Sequence, residues 1–370
     1  MLRRTKKMRT KNILIFLVLI TITSFLFFIL GPATEQNDSL KNIMSQTHQQ
    51  IQVFKDNLSK KNDKSLEIDE KYLEMLGFKP TTAAINTPNG RLDFCIVTYV
   101  RAGQLDTAVL FVQSVQMRLP NVTMLIYDLG LSEDDQRTLT TSPLCNNSKC
   151  TVIPFDLSAF PDFVADERMH AFRPLIIKNA LSHAKLILFT ENENRVRSNV
   201  TTRDLTLLTR KTENSTLGVL GWTTNKQAVS SRTHQKMFEY FDMNPESFYF
   251  IPMVSMSAVF FVRTPFVIQR IMLPWIKCVL TQECVCPIGA QSGGCKYNKK
   301  PLYRYMGCHS YDESAFNIVL GKTSKLDETK YSETGETPLF YTETLEQATK
   351  ILENRRKNAS DASERPFTEI

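Results

Sequence analysis

Four short apolar runs separated by stretches of helical spacing constrain this chain more than any other feature. They are Phe94-Cys-Ile-Val-Thr-Tyr-Val100, Thr123-Met-Leu-Ile-Tyr-Asp128, Cys150-Thr-Val-Ile-Pro-Phe155 and Lys185-Leu-Ile-Leu-Phe-Thr190. Continuous apolar, β-branched runs of this length predict strands buried on both faces. Between them, Ala108, Phe111, Val112 and Val115 give a helix over Gln104 to Leu119. Ser132 opens a second, acid-led helix, and Arg168 to His183 reads as a third. Strands alternating with helices predict an α/β domain with a mostly parallel sheet and helices on both faces. Ligands of such sheets sit outside the carboxyl ends of the strands, so Arg101, Asp128 and Glu191 are expected to converge there.

The fourth run leads directly into Glu191-Asn192-Glu193. Alternate residues at a strand end point the same way, so both carboxylates could hold one hard divalent cation. Such a cation bridges the two phosphates of a nucleoside diphosphate and stabilises it as a leaving group. A solvated loop after a strand is the alternative. Arg173 and Lys178, on the third helix, are candidates to face the diphosphate, against a reading as plain surface charges. Asp128 is a nucleoside contact or a turn residue. An inverting transfer needs a carboxylate to accept the acceptor hydroxyl proton, and Asp312 is the first choice. His309 is a metal ligand or a structural histidine. Trp222 is a sugar-stacking or a core residue, and Phe248-Tyr-Phe250 and Ala258–Val262 read as sheet core. No Gly-rich phosphate loop, H-E-x-x-H or G-x-S-x-G occurs, which excludes the P-loop, zincin and hydrolase-elbow classes.

Charge excludes another class. The formal net charge is +7, but Arg3, Arg4, Lys6, Lys7, Arg9 and Lys11 carry six of it, leaving 7 − 6, about +1, for the rest. A near-neutral body has no field to hold a polyanion, so nucleic acid is not the expected partner. The basic cluster instead precedes Ile13–Leu30, an uncharged stretch without Gly or Pro. As a helix it spans roughly 27 Å, enough for a slightly thin bilayer, with the basic side cytosolic. A cleaved signal peptide is the alternative. All eight cysteines and all seven N-glycosylation sequons lie beyond this stretch. An even cysteine set in an oxidising lumen predicts disulfides rather than zinc, with Cys145–Cys150 as the one local pair.

Residues 1–12 thus read as a cytosolic tail, 13–30 as a signal anchor, 31–88 as a stem, 89–322 as the catalytic-type domain and 323–370 as a tail with a short helix. In the stem, Leu40, Met44, Ile51, Phe54 and Leu58 form a three-heptad stripe compatible with a homodimer. A partly disordered stem helix fits equally well.

Tyr127-Asp-Leu-Gly-Leu-Ser132, Ala171-Phe-Arg-Pro-Leu-Ile-Ile-Lys178 and Cys308-His-Ser-Tyr-Asp-Glu-Ser-Ala-Phe-Asn-Ile318, with the cysteine-rich stretch Trp275–Cys308, resemble a family of single-pass type II membrane proteins. The lumenal domain of that family is similar to a nucleotide-diphospho-sugar transferase of the GT-A type. The resemblance covers about Leu92 to Leu320. It implies a GT-A-like fold and Mn²⁺ or Mg²⁺ at Glu191 and Glu193. It also implies a nucleotide-sugar donor, a glycan or glycoprotein acceptor, and residence in the Golgi or endoplasmic reticulum. Four positions depart from the family pattern. Glu191 and Glu193 stand where Asp and Ser or Asp are usual, Glu313 replaces Gln, and Arg173 replaces Lys. A catalytically inactive lumenal binding protein of the same fold is the competing expectation.

Overall fold

A computed structural model describes Val18, residues 20–23, 66–78, 92–141, Cys145, and residues 149–223, 227–296 and 298–363. The chain divides into two units, Met1–Asp63 and Lys64–Ile370. In the first, Val18 and residues 20–23 are helical and exposed. Thr21 and Thr23 donate their hydroxyls to the carbonyls of Val18 and Ile20, which satisfies both within the helix. The rest of 13–30, the basic tail and the heptad stripe lie outside the described residues. Among the described residues no helix is long and apolar enough to cross a membrane.

The second unit holds β1 (Leu92–Val100), β2 (Met124–Asp128), β3 (Cys150–Pro154), β4 (Ala184–Thr190), β5 (Asn194–Val196), β6 (Val219–Thr223), β7 (Ser255–Val262), β8 (Ser332–Thr334) and β9 (Phe340–Thr342). Its helices are α1 (Glu70–Met75), α2 (Leu105–Arg118), α3 (Glu133–Thr141), α4 (Arg173–His183), α5 (Thr202–Glu213), α6 (Gln235–Tyr240), α7 (Leu273–Val279), α8 (Gln282–Val285), α9 (Tyr311–Ser324) and α10 (Leu345–Ser363). The main sheet has the order β3-β2-β1-β4-β7-β6-β8. Its pairings are parallel except those of β7, which runs antiparallel to both β4 and β6.

The central strands read as continuous apolar runs because both faces are covered. Cys95, Val97 and Tyr99 face a core shared with Leu175 and Ile176 of α4. Ile96 and Val100 face a second core with Ala108, Phe111 and Val115 of α2. Alternation along β1 thus feeds two hydrophobic layers at once, and burying each large side chain contributes about 1.5–3 kcal/mol.

The chain runs outward from β1 to β3 and then returns to β4 on the other side of β1. That reversal puts the topological switch point at the carboxyl ends of β1 and β4, where α/β sheets open a crevice. Because β7 is antiparallel, its first residues reach the same edge. The Ser257 carbonyl accepts hydrogen bonds from the Glu191 amide at 3.1 Å and the Thr190 hydroxyl at 3.0 Å.

The folded unit is wider at both ends than the expected 89–322. Tyr72 stacks on Phe160, and Leu76 is buried in the main core. At the other end, β8 completes the sheet edge, β9 pairs with β5, and α10 packs on α2. Three disulfides form, Cys145–Cys150, Cys278–Cys284 and Cys295–Cys308. Cys145–Cys150 is the local pair expected from the sequence, and Cys95 and Cys286 are free thiols. Cys95 lies inside β1, where burial pushes its thiol up to about 12 and leaves it inert. Phe248 is core as expected, whereas Phe250 is 83% exposed.

Candidate active site at the β1–β4 switch point

Arg173 is the centre of the site. It opens α4, with Pro174 in the first turn, where a missing N–H costs nothing. The side chain is 9% exposed and lies between two carboxylates. Its Nη2 is 2.7 Å from Glu191 Oε1, and its Nη1 is 3.3 Å from each oxygen of Asp312. Glu191 Oε2 also accepts a hydrogen bond of 2.5 Å from the Tyr99 hydroxyl. Burial works against the guanidinium charge, but Glu191 and Asp312 together hold it more firmly protonated than a free arginine.

Asp312 begins α9 and is 1% exposed. Burial pushes its carboxyl up to about 8, with Arg173 acting against that rise and Glu313 adding to it. Its backbone carbonyl accepts from Trp275 Nε1 at 2.9 Å, which ties the start of α9 to α7. Glu313, also raised by burial, accepts from the Met256 amide at 3.0 Å. The residue expected as general base is therefore closed in behind Arg173.

The other expected residues divide. Arg101 does reach the edge: Nη2 donates to the Ala165 carbonyl at 2.7 Å, and Nε lies 3.2 Å from Glu167. Its guanidinium lies over the Phe172 ring at 5.1 Å. Asp128 sits at the end of β2, but its Oδ1 accepts from the amides of Gly130 and Leu131. That is the turn role, one of the two readings expected of it. Lys178 is corrected. It lies five residues beyond Arg173, about 140° around the helix, and donates to the Leu76 carbonyl at 2.5 Å beside the Phe78 ring. Burial lowers its ammonium to about 8. Glu193 is half-buried, and burial together with the nearby Glu191 raises its carboxyl. His309 is structural: Nδ1 accepts from the His234 amide, and Nε2 meets the Val285 carbonyl at 3.0 Å. Trp222 is buried against Phe260.

A divalent cation shared by Glu191 and Glu193 does not fit this donor set. Glu191 Oε2 is taken by the Tyr99 hydroxyl, and Oε1, which has no hydrogen-bond partner, is ion-paired with the Arg173 guanidinium at 2.7 Å. Among the described residues no three His, Cys, Asp or Glu side chains converge to hold an ion.

Three polar residues at the site were missed. Tyr99 is marked only by being the one phenol in an otherwise aliphatic strand end. Asn192, between the two glutamates, is buried and braces β1. Its Nδ2 donates to the Tyr99 carbonyl at 2.8 Å and to Gln104, while Oδ1 accepts from Thr107. His170 precedes α4 with a positive φ of 49° and meets the Phe172 ring edge-on. Burial, with Arg173 and Arg101 adding to it, lowers its ring to about 3, so it is neutral. Three buried nitrogens here lack a hydrogen-bond partner: Arg101 Nη1, His170 Nδ1 and Arg173 Nε. Orphaned buried polar groups are rare in folded proteins, and each calls for a partner outside the chain, a water or an ion, or for a functional role.

No family model and no curated protein sequence matches this chain. Among solved structures, it is similar to the bifunctional glycosyltransferase WbbM, at 14% identity over 69% of this chain, with a TM-score of 0.40. The chain spans 40% of the length of WbbM. It is also similar to the galactosyltransferase LgtC in complex with donor and acceptor sugar analogues, at 13% identity over 60% of this chain and 69% of that one, TM-score 0.34. Mouse xyloside xylosyltransferase 1 follows at 10% identity over 66% and 85%, TM-score 0.36. Likeness of that degree adds nothing to the argument from strand order and side chains.

Proposed function

We propose that the Lys64–Ile370 unit binds a nucleoside-diphosphate sugar at the β1–β4 crevice and transfers the sugar to a glycan or glycoprotein acceptor. The observation that carries this reading is the group of unpartnered nitrogens of Arg101, His170 and Arg173 at the switch point. A diphosphate offers acceptor oxygens to both guanidiniums, with a charge suited to them, and to His170 in its Nδ1–H tautomer. In the transfer, the bond from the anomeric carbon to the phosphate oxygen breaks, the acceptor oxygen takes its place, and the acceptor's hydroxyl proton passes to an oxygen of the departing diphosphate. The departing diphosphate leaves with the electron pair, and Arg101 and Arg173 stabilise its charge. Asp312 and Glu191 act as positioning residues that aim Arg173. Guanidinium takes the place of Mn²⁺ or Mg²⁺.

The catalytically inactive binding protein is the second reading, favoured by one observation, the closure of Asp312 behind Arg173. One experiment separates the two. Full-length protein in detergent is titrated with nucleoside diphosphates and assayed against a nucleotide-sugar panel, with EDTA or Mn²⁺. Binding that survives EDTA and falls at least tenfold in Arg101→Gln, together with turnover, is the expected result. Binding without turnover selects the inactive protein, and binding that requires Mn²⁺ removes the guanidinium role.

We further propose a type II anchor at Ile13–Leu30, a stem-mediated homodimer and residence in the Golgi or endoplasmic reticulum. Resistance to alkaline extraction and a mass loss on glycosidase treatment test the topology. A soluble mature chain starting near Thr34 would overturn it.

A further inference from the structure

Beyond Glu193 the chain enters β5, and there a second buried arginine faces a different environment. A cavity of 460 Å³ opens between α2, the β5–β9 pair and α10. Four guanidiniums line it, those of Arg118, Arg195, Arg197 and Arg355, with one carboxylate, Glu343. That carboxylate is already committed, 2.9 Å from Arg195 Nε. Arg195 is 3% exposed. Its Nη1 donates to the carbonyls of Asn192 and Asn194 at 2.7 and 2.8 Å, while Nη2 is buried with no partner. Arg355 is held toward the cavity by Gln113 Oε1 at 2.7 Å, and Arg197 pairs outward with Glu336. Leu110, Met117 and Ile351 supply apolar wall.

Cationic side chains are thus gathered around an open volume with fewer acids than they need, and the most buried of them keeps an unused donor. Surface arginines in a domain of near-zero net charge have no reason to collect in one concavity unless an anion offsets their repulsion. We propose that this cavity binds an oxyanion, the phosphate or sulfate ester of a small organic molecule whose apolar part rests on Met117 and Ile351. Planar guanidiniums suit such tetrahedral anions because they offer paired donors. The site is separate from the β1–β4 crevice and stands whether or not that crevice turns over a donor. Asn199, an exposed sequon residue, lies at the cavity's rim, so glycosylated and enzymatically deglycosylated protein are both to be measured.

The test uses full-length protein in metal-free detergent buffer, with inorganic phosphate or sulfate titrated against sodium chloride at matched ionic strength. Calorimetry and thermal unfolding are read on wild type, Arg355→Glu, Arg118→Glu and the double variant. Both substituted residues are exposed, so the fold tolerates the change. Saturable one-site binding is expected, with a rise in Tm of a few degrees. The double variant should weaken that binding at least tenfold while keeping its response to nucleoside diphosphate. A preference for phosphate over sulfate, or the reverse, identifies which ester is the ligand. Equal responses to chloride and oxyanion, or wild-type affinity in the double variant, would overturn the proposal.

Discussion

Arg173 and Arg195 make an instructive pair. Both are buried arginines beside the tip of β4, and both keep one nitrogen without a partner. Arg173 sits between two carboxylates and fixes elements far apart in sequence, since Asp312 lies 139 residues away. Arg195 has one carboxylate and two backbone carbonyls from its own tip, and otherwise faces the cavity. The first is balanced chiefly by the protein and the second only in part. A buried charge whose compensation is internal acts first on the fold, whereas one left short is the better candidate for a ligand added from outside.

The largest expected effect comes from removing the balanced arginine. Arg173→Ala leaves the buried Glu191 carboxylate without its cation, and should cost about 3–5 kcal/mol in urea unfolding. Arg173→Lys keeps the charge but cannot span both acids, so it should recover only part of that loss. A cost below about 1 kcal/mol for the alanine variant would mean that the pair is not what orders the switch point.

Arg195→Ala should cost less, about 1–2 kcal/mol. Its carboxylate partner is 20% exposed and can hydrate when abandoned. The two backbone carbonyls lose donors that water in the adjoining cavity can replace. Oxyanion binding should fall further than stability does, whereas Arg173→Lys should leave sulfate binding unchanged. If Arg195→Ala proved as damaging to folding as Arg173→Ala, the contrast between a bracing charge and a ligand-ready one would collapse.

How far the sequence discloses this arrangement follows the same division between local and distant partners. β1 to β4, α2 and α4 are legible because each is defined by apolar spacing within its own few residues. β8 and β9 are three-residue segments, Ser332–Thr334 and Phe340–Thr342, whose strand character comes only from their partners. A polar Ser-Glu-Thr run at a sheet edge carries no periodic signal, so that region reads as a tail. The direction of β7 is likewise a fact about its neighbours. At the site, Arg101, Arg173, Glu191 and Asp312 can all be named from sequence as edge residues. Sequence assigns the last three to a donor, a metal and an acceptor, and the structure has them holding one another. Lys178 is the avoidable error, because five residues along a helix already turns it away from Arg173. Arg195 carries no signal, since its burial depends on β9 and α10, more than a hundred residues downstream.

The smallest effect is a slope rather than a loss, and it tests whether Asp312 belongs to the fold or to the chemistry. In the native state burial keeps its proton to about pH 8, against an ordinary value of 3.8. Between those values the folded protein binds a proton that the unfolded chain has released. The stability Asp312 contributes is therefore full below about pH 4 and falls as pH rises toward 8. Asp312→Asn keeps the shape and removes the titration, so its unfolding free energy should lack that decline, and the gap to wild type should favour the variant most near pH 8. His170 bends the curve the other way: its folded value near 3 means stability is lost as pH falls below 6.5. His170→Gln should remove that acid limb and leave the alkaline one. Urea midpoints across pH 4 to 9 on the three proteins read both slopes. An Asp312→Asn profile parallel to wild type would mean that Asp312 is ionised beside Arg173 at neutral pH. The site would then carry one more negative charge, and the diphosphate reading would lose the electrostatic room it requires.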